Sequence, residues 1–331
     1  MRTFRVELGR DAHPVHVGSA ILDRVGELVH EAGLRPGRAA LISDSNVAKL
    51  YASGVSESLR SAGFDPLLLE IPAGEESKSL AMLEKLYDRM TEAELDRQSV
   101  VFALGGGVTG DLGAFAAATY LRGIAVVQIP TTVVAQVDSA MGGKSGINHR
   151  LAKNLIGAFH QPKMIVADVD TLKTLPEREF REGLAEVIKY GAIMDEPMVS
   201  DLERDMDAIL RRDSVVLEAM VERSLRRKAY VVENDEREGG LRKTLNFGHT
   251  IGHAIEASAG YGKYLHGEAV AIGMVAACAI SRKFAGLDER ESERLVALIR
   301  RAGLPTTMDS IWRSEEFRQA LRLDKKRLDK D

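Results

Sequence analysis

Three histidines, His249, His253 and His266, fall within 18 residues of one another, whereas the other five of the eight are scattered. His249 and His253 stand four apart in GHTIGHAIE, a spacing that puts both imidazoles on one face of a helix. His266 precedes Gly267-Glu268 at the start of the next helical pattern. Such a group can ligate a metal, although histidine pairs at this spacing also decorate ordinary helices. HTIGH lacks the glutamate of H-E-x-x-H, so a zincin protease would have no general base here. A catalytic zinc takes about three protein ligands and keeps one position open. Glu186, in the helical segment GLAEVIKYG, is a candidate third ligand; its plain alternative is an exposed helix carboxylate.

A second chemistry is written in glycine. The run from Leu104 through Gly105, Gly106, Gly107, Val108, Thr109, Gly110 and Asp111 follows an apolar strand pattern and opens an Ala-rich helix. Backbone without Cβ atoms at a helix N-terminus is where a pyrophosphate can approach. The spacing is not G-x-G-x-x-G, so the run alone also fits a tight structural turn. Two further polar loops, around Pro72 to Lys78 and Pro130 to Thr132, follow other strand patterns. Ligands of open α/β sheets sit at the carboxyl ends of strands, so the three loops together point to a nucleotide. The segment Ser139 to Asn148, with Lys144, and then Lys153-Asn154 could hold phosphate or carboxylate, or form a plain surface loop. Its GGKS has no glycine five residues before Gly143, which excludes a P-loop ATPase.

These residues need a scaffold. Short apolar runs at 4–8, 39–43, 66–71, 99–104, 125–129 and 164–168, separated by helix-like stretches, suit a mostly parallel sheet buried on both faces. Helical periodicity takes over in 198–232, 248–260, 267–285 and 289–302, and Pro176-Glu177 fits the first turn of a helix. The expected organisation is a Rossmann-like α/β domain over 1–175 followed by an all-α domain over 176–331. The charged end RLDKKRLDKD reads as a solvated tail. With 45 basic against 49 acidic side chains there is no global positive field, so neither nucleic acid nor an anionic membrane is an expected partner. The single cysteine, Cys278, excludes an intrachain disulfide and a Cys-based zinc cluster. The longest apolar run, Ala269 to Ile280, falls short of the ~20 residues that span a bilayer, and the start lacks a signal-peptide layout. A soluble, cytoplasmic protein is expected.

Taken together, the chain resembles the 3-dehydroquinate synthases. The resemblance runs in order through GEESK, LGGGVTGDLGAF, YLRGI, IPTTVVAQVDSAMGGKSGIN, KNLIGAFHQP, DTLKTLP, GLAEVIKYG, ENDEREGGLRKTLNFGHTIGHAIE, LHGEAVAIGM and the terminal DKK. It implies NAD and substrate held in a cleft between a Rossmann-like and a helical domain, one divalent metal (zinc, with cobalt an alternative) and a homodimer. Carried over by position, the metal ligands are Glu186, His249 and His266. NAD contacts fall on Asp44, Gly74, Glu75, Lys78, Gly106, Gly107, Val108, Gly110, Asp111, Thr131, Thr132, Asp138, Lys144, Lys153, Thr171, Leu172 and Thr174. The substrate phosphate is assigned to Lys144, Asn154, Lys189 and His253, with Arg122 reaching from the other subunit. The substrate carboxylate is assigned to Lys228 and Arg242, with Asn246 nearby and Lys325 or Lys326 closing the pocket.

The implied reaction converts 3-deoxy-D-arabino-heptulosonate 7-phosphate to 3-dehydroquinate and phosphate by transient oxidation, elimination, re-reduction and aldol closure. Lys, Arg, Asn and His in such number suit a substrate of several negative charges. Two departures stand out: the family pattern continues beyond Asp324-Lys325-Lys326 with an apolar stretch not present here, and Met141 and Ser145 occupy positions where Val and Thr are expected. Rival readings are a related sugar-phosphate cyclase, whose substrate would leave Lys228 and Arg242 without a carboxylate, and a glycerol dehydrogenase-like polyol dehydrogenase, which needs no anion pocket.

Overall fold

The computed structural model describes residues 1–150, 152–236, 239–260 and 262–328, with side chains as far as Arg322. The side chains of Lys325 and Lys326 therefore lie outside the described residues. Two compact units emerge, one of Met1–Leu175 with Leu217–Glu233, the other of Pro176–Val216 with Asn234–Asp331.

The first unit is built on strands β1 (Arg2–Val6), β2 (His13–Gly18), β3 (Arg38–Asp44), β4 (Asp65–Ile71), β5 (Val100–Gly105), β6 (Ala125–Pro130), β7 (Lys144–His149), β8 (Ala152–Phe159) and β9 (Met164–Asp168). Seven of them form one sheet in the order β1-β2-β9-β6-β5-β3-β4, parallel except for the β1/β2 pair. Alternate residues on the central strands bury against opposite layers. Leu41, Phe102, Leu104 and Val127 meet Leu28, Val55 and Leu59 from helices α1 (Val25–Glu31) and α3 (Ser53–Ser61), which follows the short α2 (Ser45–Val47). Ala40, Ile42, Val101 and Val126 meet Leu86 and Met90 of α4 (Leu80–Glu92) and Leu112 and Ala116 of α5 (Gly107–Thr119). Burial on both faces explains why these strands read as continuous apolar runs.

The second unit carries α6 (Glu177–Met194), α7 (Glu196–Leu210), α9 (His249–Ala259), α10 (His266–Phe284), α11 (Glu289–Arg301) and α12 (Glu315–Leu328). Between α7 and α9 in sequence lies α8 (Ser214–Asn234). The periodic stretch 198–232 is thus two helices. Arg212 adopts φ +61°, and the Asp213 carboxylate caps the new helix by accepting from the N–H groups of Val215 and Val216 at 3.0 and 3.1 Å.

The expected division at 175/176 needs one correction: most of α8 belongs to the first unit. Glu218 accepts the Ser19 N–H at 2.9 Å, Glu233 accepts the Glu7 N–H at 2.7 Å, Glu222 pairs with Arg2 at 2.8 Å, and the Arg226 guanidinium covers the Phe4 ring at 4.5 Å. Periodicity marks an amphipathic helix but not which surface it will cover. Helix α12 carries the chain into the charged end as far as Leu328 and buries Phe317 beside Ile255 and Ile272, while residues 329–331 of that end lie outside the described residues. No helix among the described residues is long and apolar enough to cross a membrane.

Candidate functional site

In the second unit, α6 supplies Glu186 and Lys189, α9 supplies His249, His253 and Glu256, and α10 begins at His266. Two glycines set the approach of these helices. Gly248, at φ +82°, starts α9 so close to α10 that a Cβ would stand 2.7 Å from the Val270 carbonyl oxygen. Gly267 has no room for a side chain at all, with the Glu182 carbonyl oxygen 1.9 Å from where a Cβ would be. The Glu182 carboxylate also accepts the Gly267 N–H at 2.7 Å, which fixes the first turn of α10 and hence His266.

Glu186 is wholly buried, not the exposed helix carboxylate of the plain reading. Its Oε1 lies 3.6 Å from His249 Nε2 and 3.5 Å from His266 Nε2, while its Oε2 accepts from the buried Lys189 ammonium. Donor atoms bound at 2.0–2.1 Å around one tetrahedral ion lie about 3.4 Å apart, close to both separations from Glu186 Oε1, and all three donors lie within 4.8 Å of one another. Burial holds the His249 imidazole down to about 4, in the neutral form that ligates. His266 behaves oppositely. Burial works against its charge, yet the Glu186 and Glu256 carboxylates on either side push it up to about 10. The donor set of one carboxylate and two imidazoles fits zinc or cobalt.

His253 stands beside the trio, its ring 5.4 Å from that of His249 and 6.2 Å from that of His266. It is exposed, which suits a ligand-facing acid or base. Arg242 is buried, with its guanidinium donating to the Glu236 carbonyl oxygen at 2.7 Å and its backbone N–H held by Asp235 at 2.8 Å. Asn246 is exposed and lines a mainly apolar cavity of about 610 Å³ with Phe247, Ile251, Ala277, Ile280 and Leu321. None of Glu186, His249 and His266 lines that cavity, because Thr250 and Ile251 occupy a different side of α9 from His249 and His253.

In the first unit the predicted dinucleotide residues gather at the carboxyl ends of the parallel strands. Asp44 ends β3; Gly74, Glu75 and Lys78 follow β4; Gly106, Gly107, Val108, Gly110 and Asp111 open α5 after β5. Thr131 and Thr132 follow β6, and Thr171, Leu172 and Thr174 follow β9. Strand order reverses at β3, whose neighbours are β4 and β5, so Asp44 and the glycine turn flank the topological switch point. Thr109 Oγ1 donates to Asp44 Oδ2 at 3.3 Å, tying the two together.

Lys144 to Asn148 and Lys153-Asn154 lie on a β-hairpin, β7 with β8. It is fastened to the Gly74–Lys78 loop: Asn148 donates its backbone N–H to the Lys78 carbonyl oxygen and its side-chain amide to Glu75, both at 2.8 Å. Lys78 is buried and donates to Asp111 at 2.7 Å and to Asn154 at 2.5 Å. Asn154 sits at φ +54°, so strained backbone aims it at Lys78. Lys144 and Lys153 are exposed on the same hairpin, and Arg122 is exposed on the turn after α5 at φ +69°.

Some expected residues are turned to other work. Leu172 has no exposed side-chain surface, and the Thr171 hydroxyl donates to the Asp168 carbonyl oxygen at 2.7 Å and accepts from Gln136 at 3.0 Å. Both could serve a ligand only through backbone. Lys228 belongs to the first unit, where its ammonium donates to the Asp138 carboxylate at 2.5 Å and carbonyl at 2.6 Å, whereas Arg242 belongs to the second. Sequence reasoning gave no role to Glu256 or Glu182; Glu256, seven residues after His249 on the same helical face, carried a signal that could have been used.

The 3-dehydroquinate synthase N-terminal family model matches residues 68–182, and the 3-dehydroquinate synthase C-terminal model matches 183–327. A 3-dehydroquinate synthase of Desulforamulus reducens is 52% identical over 308 residues, covering 93% of this chain and 86% of the relative. Among solved structures, 2-deoxy-scyllo-inosose synthase with carbaglucose-6-phosphate, NAD+ and Co2+ superposes with a TM-score of 0.87 at 26% identity, over 97% of this chain and 86% of the other. The 2-epi-5-epi-valiolone synthase of Streptomyces hygroscopicus subsp. jinggangensis, with NAD+ and Zn2+ bound, gives 0.87 at 28%, over 96% and 87%.

Proposed function

The chain belongs to the 3-dehydroquinate synthase family, and from that premise we propose that Glu186, His249 and His266 hold a divalent metal and that the carboxyl ends of β3 to β6 and β9 hold NAD+. The reaction is the conversion of 3-deoxy-D-arabino-heptulosonate 7-phosphate to 3-dehydroquinate and inorganic phosphate. The observation that carries the metal assignment is the sharing of the buried Glu186 Oε1 between two imidazole nitrogens at 3.5 and 3.6 Å. NAD+ at the strand ends is supported by the glycine turn after β5 and by the two cyclase structures that hold NAD+ with Co2+ or Zn2+.

When bound, the metal supplies Lewis acidity toward substrate hydroxyls and the dinucleotide supplies a hydride acceptor that is regenerated within each cycle. The chain's own residues do the rest. Lys189, buried against Glu186, keeps positive charge beside the phosphate-leaving end of the substrate. His253, one turn from His249 and exposed, is placed to exchange protons as the phosphate departs. Lys144, Lys153 and Asn154 present cationic and amide groups from one hairpin, and Arg242 is the buried guanidinium for the substrate carboxylate. The reading includes a cytoplasmic homodimer in which Arg122, exposed on its turn, serves the opposite subunit.

The test is phosphate release from the heptulosonate phosphate with NAD+ present. Release that a chelator stops and zinc restores supports the reading. Release indifferent to chelator, or none with zinc and NAD+ supplied, refutes it.

A further inference from the structure

His266 is held from both ends. Its Nε2 faces Glu186 Oε1 at 3.5 Å, and its Nδ1 lies 3.0 Å from Glu256 Oε2. Glu256 belongs to α9, three residues after His253 and seven after His249, so one face of one helix carries a ligand, an acid–base group and this carboxylate. The neighbouring Ala254 and Ile255 are buried in the core of the second unit, which anchors the turn that presents it. His253, Glu256 and His266 bring ligand-type atoms within 4.8 Å of one another, as Glu186, His249 and His266 do. The two trios share His266, and one imidazole cannot give both nitrogens to an ion and keep a hydrogen to donate. Burial decides between them: Glu186 is 0% exposed and His249 is buried, whereas His253 is exposed. The ion belongs on the Glu186 side.

We propose that Glu256 is a positioning residue of the metal centre, taking the Nδ1–H of His266 and so presenting its Nε2 lone pair to the ion. A carboxylate can only accept, so the nitrogen facing it must carry the hydrogen, and the other is then free to ligate. The same bond fixes the plane of the ring and makes it a stronger donor. His249, by contrast, has its Nδ1 3.3 Å from the Phe247 carbonyl oxygen, a neutral acceptor within its own turn. His266 is therefore the ligand whose affinity depends on an ionised partner from another helix. This inference rests on the metal assignment made above.

The experiment uses the full chain, stripped of metal and titrated with Zn2+ against a chromophoric chelator, and with Co2+ followed by its visible absorption. In Glu256→Gln the amide can turn its NH2 toward Nδ1 and favour the tautomer that protonates Nε2. Zn2+ affinity is expected to fall about 10- to 100-fold, with a changed Co2+ spectrum and unchanged NAD+ binding. Glu256→Asp, which keeps the charge, should recover part of the affinity. A Glu256→Gln protein that binds Zn2+ as tightly as the parent, with the same Co2+ spectrum, overturns the proposal alone. Equal loss in both variants, together with a lower melting temperature of the metal-free protein, overturns it by making Glu256 a folding residue. A parent chain that binds no metal overturns this proposal and the metal assignment together.

Discussion

The Asn148 side chain reaches Glu75, 73 residues earlier in the sequence: its amide donates to Glu75 Oε1 at 2.8 Å, and its Oδ1 accepts the Asn154 backbone N–H at 2.8 Å. One residue thus locks the hairpin strand that carries Asn154 to the loop that carries Glu75 and Lys78.

Asn148→Ala should loosen that lock without touching the metal centre, which is built wholly from the second unit. Losing hydrogen bonds that leave Glu75 and the Asn154 N–H without their partner costs about 1 kcal/mol or more, which corresponds to roughly fivefold weaker NAD+ binding. Isothermal titration with NAD+ and with Zn2+ separates the effects. Unchanged NAD+ affinity would show that the lock does not serve the dinucleotide.

His266→Ala and His253→Ala should differ in kind, although both rings lie within about 6 Å of each other. The first removes a ligand facing Glu186, so metal and turnover should vanish together. The second leaves the Glu186, His249 and His266 trio intact, so metal content should stay near normal while turnover falls roughly 10²-fold or more. Metal analysis of the two purified proteins decides; equal metal loss would place His253 among the ligands.

Lys228→Met tests a residue whose bonding partner the sequence did not reveal. The lysine was expected at the substrate carboxylate, yet it is bonded to Asp138, whose own expected role is with NAD. The variant takes the Lys228 charge away from a carboxylate that is only 21% exposed. The single variant should therefore lower thermal stability and weaken NAD+, and adding Asp138→Asn should restore part of the stability. Additive losses in the double variant would show that the pair is not energetically coupled.

What the sequence made legible follows from range. The strand runs are apolar because both sheet faces are covered, and the i, i+4 histidines announce one helical face; both are local signals. Strand β2, HPVHVG, went unread because its proline and two histidines hide a segment that pairs with β1 and β9 and buries His13 and His16. The burial of Glu186, the assignment of α8 to the first unit and the Lys228–Asp138 bond all depend on packing between segments distant in sequence, which periodicity does not encode.

Those two histidines give a pH prediction. Burial holds the His13 and His16 rings below the ordinary value of 6.5, so the unfolded chain binds protons that the folded one refuses. Their contribution is fully present above about pH 6.5 and is lost as pH falls below it, by at most about 1.4 kcal/mol per pH unit for each ring. Urea unfolding between pH 7.5 and 5.5 should show stability falling toward acid. A His13→Gln, His16→Gln variant should be less stable at pH 7.5 but flatter in pH. The same slope in parent and variant would remove these rings as the cause.

The last prediction separates a cyclase from a polyol dehydrogenase. In a dehydrogenase each turnover releases reduced cofactor, so NADH accumulates one for one with substrate consumed. In the reaction assigned here the hydride taken from the substrate returns to the same carbon after phosphate has left, and a cofactor that escaped midway would strand an oxidised intermediate. The residues at the strand ends must then hold the dinucleotide through the whole cycle, and the bonded set of Glu75, Lys78, Asp111, Asn148 and Asn154 is a pre-formed framework for doing so. Enzyme, zinc, a trace of NAD+ and a large excess of heptulosonate phosphate are mixed, and phosphate and NADH are followed together. Phosphate should exceed the NAD+ supplied many times over while NADH stays at or below the enzyme concentration. If NADH instead rises in step with substrate loss, or turnover stops when NAD+ is spent, the chain works as an oxidoreductase and the reaction assigned to it is wrong.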